Sequence, residues 1–207
     1  MTTEPRAHAT FAPERLKSFV DAVVAIAMTL LILPLLESVS EAATNNPGTA
    51  EFLAEHSGQL VSFGLSFVLI AVFWIEHHRQ YANVNRITNT LVWINVAWML
   101  TIVWLPVPTA MLGQMQTDAL QAVLYIGTLI MTQVTTLITR LYLLRHPEIT
   151  DAAPDQLRRG VAGDVASIIL FLAALVIAAL VHPIGYYALL LVALSGPFER
   201  MLLRKRG

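Results

Sequence analysis

Long apolar runs separated by short polar stretches recur along this chain. A helix rises about 1.5 Å per residue, so about 20 mostly apolar residues cross a hydrocarbon core of about 30 Å. Six runs meet that length: 16–36, 59–78, 88–112, 119–144, 161–182 and 183–203. The pattern predicts an all-α membrane protein, one transmembrane domain over 1–207 built from six spanning helices. The connectors are 37–58, with Asn45, Asn46, Pro47 and Gly48 as turn residues, then 79–87, 113–118, 145–160 and a bend at His182 and Pro183. No repeat, low-complexity segment or interdomain linker is visible. Pro106 and Pro108 are expected to end the third span, and Pro34 the first.

Charge gives the bundle a direction. All 13 Lys and Arg lie in the N-terminal segment, in or beside the second and fourth connectors, or at the C-terminus; they are Arg6, Arg15, Lys17, Arg79, Arg86, Arg140, Arg145, Arg158, Arg159, Arg200, Arg204, Lys205 and Arg206. The first, third and fifth connectors carry none, and the first holds Glu37, Glu41, Glu51 and Glu55. Cytoplasmic loops collect Lys and Arg, so both termini are expected in the cytoplasm, which requires an even number of spans. Composition agrees: 56% of the residues are hydrophobic and 13% charged, against about 25% charged in soluble domains. The net charge of −1 gives no pull toward nucleic acid, and the lack of Cys excludes disulfides, thiolate metal sites and a Cys nucleophile. The basic residues ahead of the first run resemble a secretory signal, but that run is long for a signal core and further spans follow it.

Polar residues inside the spans are the candidates for chemistry. Asp21 follows Lys17 by four residues, about 6 Å of rise, which puts it near the cytoplasmic interface. An Asp at the bilayer centre costs about 2.5–3.5 kcal/mol, and such groups face the bundle interior with partners. Asp21 fits an ion pathway or a hydrogen-bond network between helices, and its interfacial depth favours the network. The stretch "WIEHHRQ", Trp74 to Gln80, ends the second run with an interfacial Trp and polar groups beyond it. Glu76, His77 and His78 are consecutive, so on a helix they diverge and lack the i, i+4 spacing of a helical zinc site. One His is expected to turn inward to Asp21 or a backbone carbonyl. Asn95, Gln133, Thr132, Thr135, Thr136 and Thr139 read as interhelical hydrogen-bonding groups, worth about 0.6 kcal/mol each on average. Asp164, after "RRG" at Arg158 to Gly160, reads as an acid in the first turn of a helix.

Several activities find no footing. There is no Gly-x-Ser-x-Gly elbow, no Gly-rich phosphate loop, and no cluster of nucleophile, base and orienting group, so no enzyme and no cofactor is expected. The carbonyl-lined potassium filter Thr-Val-Gly-Tyr-Gly is also missing; "IGYY" at Ile184 to Tyr187 lacks its pattern. On a helix Ile26, Leu30 and Leu33 form one row with Thr29 beside it, but neighbours on every side are apolar too, so periodicity leaves packing and lipid contact open.

"RLKSFVDAVVAIAMTLL" resembles the first-helix signature of the transmembrane protein 175 family of potassium channels, Arg-x-x-x-Phe-Ser-Asp, through Arg15, Phe19 and Asp21. "FWIEHHRQY" and "INVAWMLTIVWLPVPTAMLG" resemble that family's second and third helices, so the likeness covers about the first half of the chain. Val20 stands where the family has Ser, which removes a hydroxyl near the cytoplasmic mouth. The resemblance implies a homotetramer in a bacterial plasma membrane, with the first helix of each copy lining a central path for potassium ions. It implies that Ile26 forms a bulky apolar constriction, that Leu30 and Leu33 are the next pore-facing positions, and that Thr29 lies beside them. It also implies that Arg15, Phe19, Asp21 and His77 brace the first helix near its cytoplasmic end. A ring of such apolar side chains gates by dewetting, with selectivity left to pore width and nearby oxygens. The resulting expectation is a leak-like, potassium-selective channel with no resident metal. The alternative is a secondary transporter or proton-coupled carrier, although neither inverted repeats nor broken helices stand out. Two subsidiary expectations concern charge: the acidic first connector concentrates cations at the outer mouth, and the basic tail "RMLLRKRG" contacts anionic lipid.

Overall fold

A computed structural model describes residues 12–43, 48–116 and 118–180. Among them the chain is helical: α1 Pro13–Leu30, α2 Leu33–Ala42, α3 Thr49–Glu55, α4 Ser57–Tyr81, α5 Asn89–Trp104, α6 Pro106–Gln114, α7 Ala119–Arg145, a short 3₁₀ turn Pro147–Ile149, and α8 Pro154–Leu180. Helix starts follow local chemistry. Pro13 opens α1 with a missing N–H that costs nothing there. Thr88 caps α5 by accepting from the Leu91 amide at 3.2 Å, and Asp118 caps α7 by accepting from Gln121 at 2.7 Å.

Five helical stretches are long and apolar enough to cross a membrane: Pro13–Ala42, Ser57–Tyr81, Asn89–Gln114, Ala119–Arg145 and Pro154–Ala178. The chain is therefore a multi-pass membrane protein. The sixth expected span, 183–203, lies outside the described residues, as do the bend at His182 and Pro183 and the basic tail.

Three expectations about the spans need correction. Pro34 does not end the first span: the helix tightens at Leu31 and Ile32 and resumes as α2. Pro106 and Pro108 likewise interrupt the third span without ending it, since α6 continues to Gln114. A proline lacks the N–H that would reach back one turn, and a 3₁₀-type bond takes over at each place, Ile32 N to Thr29 O and Leu105 N to Ile102 O, both 3.3 Å. Backbone angles there stay right-handed helical, with φ −60° and ψ −27° at Leu31, so each span is tightened locally and not unwound. Locally tightened turns within two spans, which the apolar pattern concealed, are thus present. The third correction is that α8 begins at Pro154, seven residues ahead of the expected start, because Pro is well suited to a first helical turn and polar residues precede the apolar run.

The main core joins α1, α4, α5 and α7 through Val20, Val24, Ala27, Leu69, Ile70, Trp98, Ile102 and Ile126, with Phe171 and Ala174 of α8, and Leu112 of α6 packs against it. Close approaches need small residues. A Cβ on Gly113 of α6 would fall 2.8 Å from Ser62 Oγ and 2.9 Å from the Gln59 Cα of α4. At the opposite end a second cluster ties both connectors to the start of α1, through Leu16, Tyr81, Val84, Ile87, Leu91, Leu143, Ile149 and Leu157. There Val84 and Thr150 form an isolated antiparallel bridge, with Asn85 N donating to Ile149 O and Asp151 N to Asn83 O, both at 2.9 Å. The described Lys and Arg gather toward this end.

Candidate functional site

One face of α1 is committed to the bundle. Leu16, Val20, Val24 and Ala27 are buried, as is Leu31 just beyond. The opposite face has no cover among the described residues. Ile26 is 60% exposed, Leu33 47%, Leu30 38% and Phe19 57%, and Arg15, Asp21 and Thr29 also lie on the outside. The tightening at Leu31 and Ile32 falls between Leu30 and Leu33, so the row expected on one helix is shared between α1 and the first turn of α2. The Thr29 hydroxyl donates to the Ile26 carbonyl at 2.7 Å, which leaves its oxygen lone pairs as acceptors on the exposed face.

Val20, in the place of the motif Ser, is 1% exposed within the apolar core. A branched aliphatic side chain satisfies that position by packing, with no hydroxyl left to pair.

The anchoring contacts run through α4. Trp74 donates from Nε1 to Asp21 Oδ1 at 2.7 Å, which ties α1 to α4. His77 donates from Nε2 to Asn95 Oδ1 at 2.8 Å, which ties α4 to α5. Gln80 donates from Nε2 to the Thr136 carbonyl at 2.9 Å, which ties α4 to α7. Residues 74, 77 and 80 are spaced by three, so one edge of α4 makes three interhelical bonds in succession. His77 thus turns inward, but it meets Asn95, whereas Asp21 is held by Trp74. The sequence offered Trp74 only as an interfacial aromatic. Its indole N–H is a donor at the right depth, and that was the available signal. Arg15 and Phe19 are exposed, so within one chain they do not join this network.

Further out, Thr109 of α6 donates to Ser66 Oγ of α4 at 2.8 Å, and Ser66 shares a 3.0 Å bond with the Tyr125 hydroxyl of α7. Most α7 threonines behave differently from the expected cross-links. Thr135, Thr136 and Thr139 donate to carbonyls of their own helix, and Thr132 both does so and reaches Thr101 of α5 at 2.9 Å.

Asp164 overturns its reading as a first-turn acid, because α8 starts ten residues before it. Its side chain is 1% exposed, and Arg140 of α7 donates from Nε to Oδ2 at 2.7 Å while Gln133 donates to Oδ1 at 3.1 Å. Gly160, one turn earlier on α8, has no Cβ to collide with the Arg140 guanidinium. No group of three or more His, Cys, Asp or Glu able to hold a metal ion is found among the described residues.

The comparisons with known proteins converge on the same stretch. Residues 15–106 match the family model described as endosomal/lysosomal potassium channel TMEM175. A potassium channel of Streptomyces collinus is 31% identical over 101 residues, covering 48% of this chain and 47% of that protein. A potassium channel of Chamaesiphon minutus is 30% identical over 100 residues, 48% of this chain and 49% of the relative, so the chain matches about half the length of these curated relatives. The endosomal/lysosomal proton channel TMEM175 of Mus musculus is 32% identical over 43% of this chain and 19% of that protein. Among solved structures, a lysosomal potassium-selective channel TMEM175 homolog from Chamaesiphon minutus superimposes with a TM-score of 0.62, at 22% identity, over 89% of this chain and 97% of that one, a likeness of fold. Through residues 15–106, the chain is similar to the TMEM175 family.

Proposed function

We propose that this protein is a potassium-selective, leak-like channel of a bacterial plasma membrane, a homotetramer in which the first helices surround the ion path. The observation that carries the reading is the two-sided character of that helix: Val20, Val24 and Ala27 are buried, while Ile26 and Leu30 stay exposed in the single chain. An apolar helix face with no partner among the described residues is suited to lipid or to other copies, and the relatives named potassium channels favour the second. Ile26, Leu30 and Leu33 then form the constriction, with Thr29 oxygens beside it in place of a carbonyl filter. Asp21 is the anchor that aims the row, through Trp74, and His77 with Asn95 stiffens the helix pair behind it. Arg15 and Phe19, exposed in one chain, are assigned to contacts made on assembly. The positive-inside rule sets the Arg-rich end, and with a sixth span both termini, in the cytoplasm.

The carrier alternative relies on unwound backbone near the midplane. Both tightened spans keep helical angles, φ −60° at Leu31 and −57° at Leu105, so neither presents a row of free carbonyls to a bound ion.

Reconstitution in liposomes tests the reading. Potassium flux is expected to exceed sodium flux, without saturation at carrier-like rates, and Ile26→Asn is expected to raise the rate and erode selectivity by wetting the constriction. Saturating, coupled flux that Ile26→Asn leaves unchanged would establish the carrier.

A further inference from the structure

Where α6 ends and α7 begins, at the end of the bundle opposite the Arg-rich one, a cavity of about 80 Å³ opens to the surface. Met111 of α6 and Met115, which ends that helix, line one side, and Asp118, Leu120, Gln121 and Leu124 line the other from the start of α7. The two methionines are four apart, so they stand one above the other on one side of the helix end. Hydrogen bonds tie the two walls together. The Met111 carbonyl accepts from Met115 N at 2.9 Å and from Gln121 Nε2, and Gln121 N donates to Asp118 Oδ1 at 2.7 Å. Met115 is 61% exposed, a large apolar side chain kept at the rim of a polar connector.

The donor set of this cavity selects its ligand. A thioether is a soft, polarizable donor without proton or charge, and Met ligands favour Cu(I) and ions like it over hard cations, which take carboxylate, carbonyl and water oxygens. Two thioethers one turn apart supply neutral soft ligands, and a carboxylate beside them supplies the charge that balances a bound monovalent cation. Asp118 is that carboxylate, and capping α7 occupies only its Oδ1. It is also the only charged residue between Arg86 and Arg140, so no basic side chain in this stretch competes for the cavity. Leu120 and Leu124 add an apolar wall, which suits a weakly hydrated ion. Magnesium and calcium find one carboxylate there and no cage of oxygens.

We infer that the junction of α6 and α7 is a binding site for a soft monovalent cation of the Cu(I) and Ag(I) class, held by the thioethers of Met111 and Met115 with the Asp118 carboxylate completing it. The site lies within one chain and depends neither on the channel reading nor on tetramer formation. A bound ion joins the last turn of α6 to the cap of α7, and so stiffens the connector between the third and fourth spans.

Titration of the intact protein with silver nitrate, in detergent micelles free of chloride, tests this through the NMR signals of isotopically labelled methionine methyl groups. The Met111 and Met115 signals are expected to move together and to saturate at one Ag(I) per chain. Met131 is the control: it is 53% exposed, has no second methionine within a turn of α7, and is expected to keep its position. Met115→Leu preserves size and apolarity and so the fold, and is expected to weaken the binding read at Met111 by about tenfold. Asp118→Asn preserves the helix cap and is expected to weaken it several-fold. Met111 and Met115 signals that shift no more than that of Met131 would overturn the inference, as would a titration that either variant leaves unchanged.

Discussion

The pairing of Arg140 with Asp164 is the most consequential single-residue contact away from the first helix. Both groups are largely withdrawn from solvent, 11% and 1% exposed, and Gln133 takes the remaining carboxylate oxygen. Removing one member of a buried pair strands the other, at about 3–5 kcal/mol. Arg140→Ala is therefore expected to lower resistance to denaturant by that order, read by unfolding in mixed detergent micelles; a loss of a few tenths would show that the pair is solvated. Legibility at this scale was uneven. Asp21 was readable as an interfacial anchor from its distance to Lys17, but its partner Trp74 lies 53 residues away and only packing could choose between it and His77. Asp164 was misplaced because polar residues 154–160 conceal the first turns of α8. Ile26, Leu30 and Leu33 were invisible to periodicity, since every face of that helix is apolar, and entered through the resemblance alone.

At the scale of elements, the tightened first and third spans share a neighbourhood. The outer half of the third span, α6, packs closely on α4, and Gly113 sets that distance. Adding a Cβ there forces the backbone of α4 away, at about 1–3 kcal/mol. Gly113→Ala is expected to reduce thermal stability measurably while leaving the second hydrophobic cluster, around Leu91 and Leu143, intact, as judged by protection of the amides of those two residues from exchange. A variant as stable as the parent would mean that α6 is free to shift. Span positions were legible because about 20 apolar residues are hard to mistake. The 3₁₀ turns were not, because a proline in an apolar run ends a helix or bends it depending on which neighbouring carbonyls find other donors. The clasp between the second and fourth connectors was also unreadable, being a pairing of Val84 with Thr150 across 66 positions of polar loop and helix.

For the molecule as a whole, charge is divided between its ends. Arg-rich connectors meet at one, and the other carries Glu37, Glu41, Glu51 and Glu55 with no Lys or Arg in the connector. The proposed fourfold assembly of the 22.8 kDa chain would multiply that negative rim around a common axis. Replacing the four Glu with Gln is expected to lower potassium conductance at low ionic strength and to leave it unchanged at high salt, where screening lengths shrink to about 3 Å at 1 M. Equal conductance at both would detach the rim from the ion path.

The central claim is that the exposed row of the first helix faces ions. The sequence contains no Cys, so single-cysteine variants can be made without altering any native thiol. The direct measurement is block of potassium current in planar bilayers by a small charged, water-soluble thiol reagent, applied to Ile26→Cys and to Val176→Cys on the exposed face of α8. The account predicts rapid block of Ile26→Cys, slowed by high potassium, and no effect on Val176→Cys. Current through Ile26→Cys that the reagent never touches, while the thiol reacts freely with a lipid-soluble one, would place that row against lipid and contradict the account.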